Sequence, residues 1–303
     1  MLSVKIIMSD FRLKVFECVA KNHSFTKAAQ ELCISQPAVT KHIRVLEDEY
    51  KVKLFDRTGS KISLTKAGIL LFEHAELILS QYNRLEYALH KISNEHVGSL
   101  KLGASTTIAQ YVIPKYLAKF NELFPKIELS LINDNSRNIE SDLKTNIIDL
   151  GLVEGVIKDP DLNYQSFTDD ELVVITRYKN ESINKEITLN EFIKLPLVLR
   201  EYGSGTLDVI EKELNLKKVK LSDLNIKMHL GSTEAIKRFI LDSNCLGIVS
   251  IAAIEQELYD KTLRIIDIDS INFKRQFCFV SMKGRISDPA QEFISFITNW
   301  KSC

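Results

Sequence analysis

At Gly98 the hydrophobic pattern of this chain changes period, and that change constrains the fold more than any single motif. Before it, apolar residues recur at helical spacing; after it, short apolar runs alternate with amphipathic segments. SLKLGAS (99–105) reads as a strand, TTIAQYVIPKYLAKFNELFP (106–125) as one helix, KIELSLIND (126–134) as a strand, SRNIESDLKTN (136–146) as a helix and IIDLGLVEG (147–155) as a strand. This βαβαβ rhythm requires an open, mostly parallel sheet, because parallel neighbours need a crossover between them. A second set follows: ELVVITR, TLNEFIKL, PLVLRE, SGTLDVIEKEL, NIKMHLG, STEAIKRFILDS, CLGIVSI and LRIIDI. Two α/β units are therefore expected in tandem. The closing strand and helix, Arg275–Trp300, have no partner nearby in sequence and are expected to return over the first unit, with crossovers near Asn163–Thr168 and Asp267–Asn272.

The segment before Gly98 is built differently. Phe11, Val15, Phe16 and Val19 share one face of a helix over 10–21. Ser24 precedes SFTKAAQELC as a cap, and Ala28 and Ala29 allow a close helix approach. After a short turn, Ser35 caps SQPAVTKHIRVLEDEY, with Pro37 in the first turn and Ala38, Val39, Ile43 and Leu46 inward. Two helices so joined form a helix-turn-helix. Gln36, Thr40, Lys41 and Arg44 lie away from the apolar stripe, offering amide, hydroxyl and cationic groups suited to base edges and phosphates. Two strand-like runs, Lys53–Phe55 and Lys61–Leu64, then flank the turn Asp56–Ser60 as a wing carrying Arg57 and Lys61. His42 lies on the same helix and is as consistent with no contact as with DNA.

Composition agrees once the chain is divided. The whole chain holds 40 basic and 40 acidic residues, but residues 1–93 hold 14 and 10, leaving 26 and 30 beyond. A basic front precedes an acidic body, which suits nucleic acid only in company with the motif. From Thr65 a proline-free helix carries Leu71, Ala75, Ile78, Tyr82, Leu85, Leu89 and Ile92 at alternating spacings of four and three. That period of 3.5 is a dimerisation seam.

The run SFTKAAQELCISQPAVTKHIRVLEDEYKVKLFDRTGSKISLTKAG, Ser24–Gly68, closely resembles the amino-terminal domain of the LysR-type transcriptional regulators. Ser60 and Ser63 depart from it, standing where basic residues are common. The resemblance implies an α/β protein with an N-terminal winged helix-turn-helix (8–66), a linker and dimerisation helix (67–93), and a two-lobed, periplasmic-binding-protein-like effector domain (97–303). Lobe I would take about 97–163 and 272–303, and lobe II about 168–267. DNA contact falls to Ser35, Gln36, Pro37, Thr40, Lys41, Arg44, Arg57 and Lys61. The implied partners are double-stranded promoter or operator DNA, RNA polymerase and further copies of the chain, as dimer or tetramer.

Ligands of open α/β sheets sit beyond the carboxyl ends of the strands. Ser105, Thr106 and Thr107 stand there, as do Tyr202, Gly203, Ser204, Gly205 and Thr206, then Ser232 and Thr233, and Glu154 with Gly155. Each turn alone reads as N-capping; together, hydroxyls and amides at helix N-termini suit an anion. GASTTIAQYVIP and LREYGSGT resemble effector-pocket segments of the carbon-fixation and cysteine-biosynthesis regulators. Leu207 stands where that branch often has arginine, which leaves Arg200 as the nearest cation.

Other classes fit less well. Tyr202–Thr206 has a serine between glycines in the wrong frame for a nucleophile elbow, and only His229 of the six histidines lies in the second unit. Gly203-Ser204-Gly205 lacks the third glycine of a dinucleotide fingerprint. The five cysteines are scattered, so neither a disulfide framework nor a metal site is expected, and Cys245 and Cys278 sit in apolar segments that favour inert thiols. No run approaches the ~18 apolar residues of a membrane helix and the amino terminus lacks a leader pattern, so a cytoplasmic chain without cofactor or catalytic residue is expected. The alternative is a cytoplasmic small-molecule-binding protein or enzyme whose N-terminal helices serve assembly.

Overall fold

A computed structural model describes residues 2–58, 61–92, 97–154, 156–284 and 286–300. The chain divides into two compact units, Met1–Ser93 and Asn94–Cys303.

In the first unit, α1 (Leu2–Asn22), α2 (Phe25–Glu31) and α3 (Gln36–Tyr50) precede a hairpin of β1 (Phe55–Thr58) and β2 (Lys61–Leu64), and α4 (Lys66–Ile92) closes it. The caps lie where hydroxyls precede apolar runs. Ser24 Oγ accepts from Lys27 N, Ser35 Oγ from Ala38 N, and Thr65 Oγ1 from Gly68 N. Val15, Phe16, Val19, Ala28, Val39, Ile43 and Leu46 fill one core with Phe55. Gly68 is required by proximity, since a Cβ there would lie 2.1 Å from the Leu54 carbonyl oxygen.

Two expectations shift. The first wing strand begins at Phe55, not Lys53, because Lys53 is held off the hairpin by Glu47 (Nζ–Oε2 2.9 Å) while Glu47 Oε1 accepts from Leu54 N. The front of the expected seam belongs to the unit's own core. Ala75 is fully buried there with Leu79, and Leu71 packs beside them, because α4 lies against α1. Ile78 and Leu85, further along, are exposed. The side chains of Leu89 and Ile92 lie outside the described residues.

The second unit holds a 10-stranded mixed sheet in the order β4-β3-β5-β12-β6-β10-β8-β9, with β11 on β6 and β7 on β11. Its strands are β3 (Gly98–Ser105), β4 (Ile127–Asp134), β5 (Leu150–Glu154), β6 (Leu162–Arg177), β7 (Glu186–Ile187), β8 (Leu197–Arg200), β9 (Ile226–Leu230), β10 (Leu246–Ser250), β11 (Leu263–Ile268) and β12 (Phe273–Met282). The helices are α5 (Pro114–Leu123), α6 (Ser136–Lys144), α7 (Leu189–Lys194), α8 (Gly205–Leu216), α9 (Thr233–Leu241), α10 (Glu255–Tyr259) and α11 (Asp288–Trp300).

The sheet forms two lobes. β3 pairs in parallel with β4 and β5, and β8 with β9 and β10. The closing strand β12 pairs antiparallel with β5, and α11 packs Phe293 against Phe120 of α5 at 5.1 Å, so the chain end does return over the first lobe. The expected crossover at Asn163–Thr168 is itself strand. β6 pairs with β12 over Leu162–Leu172 and with β10 and β11 over Leu172–Arg177, so one continuous strand runs through both lobes. The single helix expected over 106–125 is broken. A π-helical turn at Ile108–Val112, closed by Ile113 N to Ile108 O, gives way to α5 at Pro114, which has no N–H to continue the ladder.

Candidate functional site

On α3 the polar face is open. Ser35, Gln36, Pro37, Lys41 and Arg44 are exposed and Thr40 is half-buried. Gln36 Nε2 donates to Thr40 Oγ1 at 3.2 Å, and Thr40 Oγ1 donates to the Gln36 carbonyl, which orients the amide along the first turn. Among the described residues Arg44 is held only by Asp48 at 3.8 Å, with its side chain 79% exposed. His42 packs edge-on to Phe11 at 5.2 Å; burial, aided by Arg12 and Lys41, lowers its pKa and favours the neutral ring. Arg57 and Lys61 fall on β1 and β2, where Arg57 pairs with Ile62 and Thr58 with Lys61; their side chains and Ser60 lie outside the described residues.

In the second unit three expected turns converge. Arg200, at the end of β8, donates from Nη2 to Thr106 Oγ1 at 3.2 Å and to the Gly231 carbonyl at 3.4 Å. That one guanidinium ties the Ser105–Thr107 turn to the turn preceding α9. Gly203 and Gly205 approach α6, since Arg137 N donates to Gly203 O and Gly205 N to Ser136 Oγ at 3.3 Å. Gly205 is required, because a Cβ there would lie 2.5 Å from Glu154 Oε2. Ser105, Thr106, Thr107, Ser204, Thr206 and Thr233 are all buried. Gly155 lies outside the described residues.

Several hydroxyls expected to face a ligand have protein partners. Ser105 Oγ donates to Glu154 Oε1 at 2.9 Å, Thr206 Oγ1 accepts from Arg275 Nη1 at 2.9 Å, and Ser232 Oγ caps α9 by accepting from Ala235 N at 3.1 Å. Ser204, at the N-cap of α8, makes no side-chain cap bond.

Sequence reasoning missed the charged frame beneath these turns. Arg275 of β12 lies 3.3 Å from Glu154 and 2.6 Å from Asp170, and Ser250 Oγ donates to Asp170 at 2.6 Å. Ser136 donates to Glu154 Oε2 at 2.5 Å. A second cluster surrounds Lys237, which meets Glu234 and Glu257 at 2.6 Å each and lies 5.2 Å from the ring centre of Tyr111. The Tyr111 hydroxyl bonds to Glu234; burial, with Glu234 beside it, pushes the phenol pKa up. The available signal was charge inside apolar strands, as in FKRQFCFV. Cys278 is buried and Cys245 half-buried. Among the described residues no group of metal-ligating side chains occurs, and no helix is long and apolar enough to cross a membrane.

A winged helix-turn-helix followed by a two-lobed α/β domain defines a DNA-binding regulator with a ligand-binding domain. The LysR substrate binding domain family matches residues 93–302, and the bacterial regulatory helix-turn-helix protein, lysR family, matches residues 11–69. The chain belongs to the LysR family of transcriptional regulators. It is 32% identical over 276 residues to a probable RuBisCO transcriptional regulator of Thalassiosira pseudonana, covering 89% of this chain and 90% of that protein. The regulatory domain of CcmR from Synechocystis PCC6803, solved in complex with 2-PG, is 31% identical with a TM-score of 0.61, covering 67% of this chain and 97% of that one. Full-length CbnR complexed with its target DNA shares the fold at 19% identity and a TM-score of 0.62, covering 96% of this chain and 99% of that one.

Proposed function

We propose that this regulator responds to a small anionic metabolite held among Ser105–Thr107, Arg200, Gly203–Thr206 and Ser232–Thr233, between lobes of about 97–163 with 272–303 and about 168–267. The carrying observation is the buried Arg200 guanidinium, which joins the first of these turns to the last. The CcmR relative was solved with 2-PG, a phosphorylated carboxylate of the chemistry such a site would take. The ligand then biases two arrangements of a dimer, acting only through its difference in affinity for them.

Residues 8–66 hold promoter DNA, with Ser35, Gln36, Pro37, Thr40, Lys41 and Arg44 in the major groove and Arg57 and Lys61 on the backbone. Residues 67–93 pair two copies, as a dimer or within a tetramer, and the assembly contacts RNA polymerase in the cytoplasm. The chain performs no catalytic step. Calorimetric titration with 2-phosphoglycolate tests the ligand: the wild type binds, and the Thr106→Val, Ser204→Ala double variant does not. Equal binding by both would place the effector site elsewhere. Gel retardation with the DNA upstream of its own gene tests the other half, a shift being expected and its absence counting against that target.

A further inference from the structure

Arg200 is a cation that cannot turn to water, for its side chain is 3% exposed. Such a charge needs a counter-ion at all times. The resident one is Glu201, its neighbour in sequence: Nε meets Oε2 at 2.8 Å and Nη2 meets Oε1 at 3.0 Å, a bidentate fork. Successive side chains of a strand point to opposite faces, so this contact exists only because β8 ends at Arg200. The bend is fixed by His229 Nδ1, which donates to the Arg200 carbonyl at 2.8 Å, and by Tyr202, whose ring lies 5.0 Å from that of His229. Gly203, at φ +91°, completes it.

The two partners are unequally held. Arg200 is tied also to Thr106 and Gly231, whereas the Glu201 carboxylate, 27% exposed, bonds only to Arg200 among the described residues. We propose that Glu201 is an internal stand-in for the effector's anionic group, and that binding exchanges its carboxylate for an incoming oxyanion on the Arg200 fork. This rests on reading these turns as the effector site. The fork presents two N–H groups side by side, so it selects carboxylates and phosphates over monatomic anions. Exchange also frees the Glu201 side chain two residues before Gly203, whose carbonyl accepts from Arg137 N of α6, so the displaced carboxylate moves beside the place where the two lobes touch.

The test is calorimetric titration of the full chain, in buffer free of phosphate and carboxylates, with 2-phosphoglycolate and with inorganic phosphate, for wild type, Glu201→Gln and Arg200→Gln. Glu201→Gln should tighten binding about tenfold, the factor by which a competitor present nine-tenths of the time lowers apparent affinity. Because that variant leaves Arg200 without its counter-ion, thermal melting is followed in parallel, and phosphate should raise the Tm of Glu201→Gln more than that of wild type. Arg200→Gln should lose binding. Binding by Glu201→Gln alone would also support the exchange. If wild type binds and a folded Glu201→Gln binds equally or more weakly, the exchange is overturned while the effector reading stands. If neither binds nor is stabilised by either anion, both fall.

Discussion

Arg275 and Glu154 face each other at 3.3 Å with side chains 0% and 2% exposed, and Asp170 closes on the same guanidinium at 2.6 Å. One Arg275 nitrogen, Nη2, is buried without a hydrogen-bond partner among the described residues, so the triad holds two carboxylates on one incompletely bonded cation. Removing that cation leaves both carboxylates buried and uncompensated. Arg275→Met should cost about 3–5 kcal/mol in urea unfolding. A loss under about 1 kcal/mol would mean that the carboxylates reach water or take up protons.

Gly205→Ala tests the close approach of α8 to Glu154. The added methyl group meets Glu154 Oε2 at 2.5 Å and Glu154 Cβ at 2.7 Å, and because that Cβ is fixed to the β5 backbone, the helix must retreat. About 1–3 kcal/mol should be lost, again by urea unfolding, with the ligand response weakened. An unchanged stability would show that α8 shifts freely.

For DNA, Gln36→Ala should cost about 1–3 kcal/mol on the cognate site and little on random sequence. Lys61→Ala should weaken both and lower the salt dependence by about one ion. Titrations at two salt concentrations separate these, and a uniform loss for Gln36→Ala would reassign it to phosphate.

The apolar face of α4 where Ile78 and Leu85 are exposed and Tyr82 is half-buried is where a second copy should pair. Leu85→Glu should give monomers by light scattering and weaken operator binding through loss of the second half-site. A variant still dimeric and fully bound would move the interface off this helix.

Glu47 carries a pH prediction. Burial raises its pKa, but the Lys53 ammonium and the Leu54 and Phe55 N–H groups outweigh that and hold it below its ordinary 4.5. A carboxylate depressed in the folded state adds stability above that ordinary value and loses it as pH falls through the folded one. Glu47→Gln should therefore cost about 1.5–3 kcal/mol near pH 7, with the gap to wild type closing in acid. Parallel melting curves that keep a constant gap down to pH 3 would refute it.

Local chemistry was legible in the sequence because it is local. Ser24, Ser35 and Thr65 cap the next helix through amides three residues on, and the change of period at Gly98 marked where helices give way to sheet. Pro114 was equally visible, yet its break of the helix over 106–125 was missed, because the π-helical turn before it rests on backbone bonding that carries no side-chain pattern. Partners were decided only by tertiary structure. Arg275 meets Asp170, 105 residues away, because β12 returns beside β6, and Ser105 meets Glu154, 49 away, because β3 pairs with β5. Even Arg200 and Glu201, adjacent in the chain, pair only because the strand ends between them and His229 holds the bend. Helix caps and periodicity depend on neighbours within a turn or two, whereas the partner of a buried charge depends on which strands the whole sheet brings side by side.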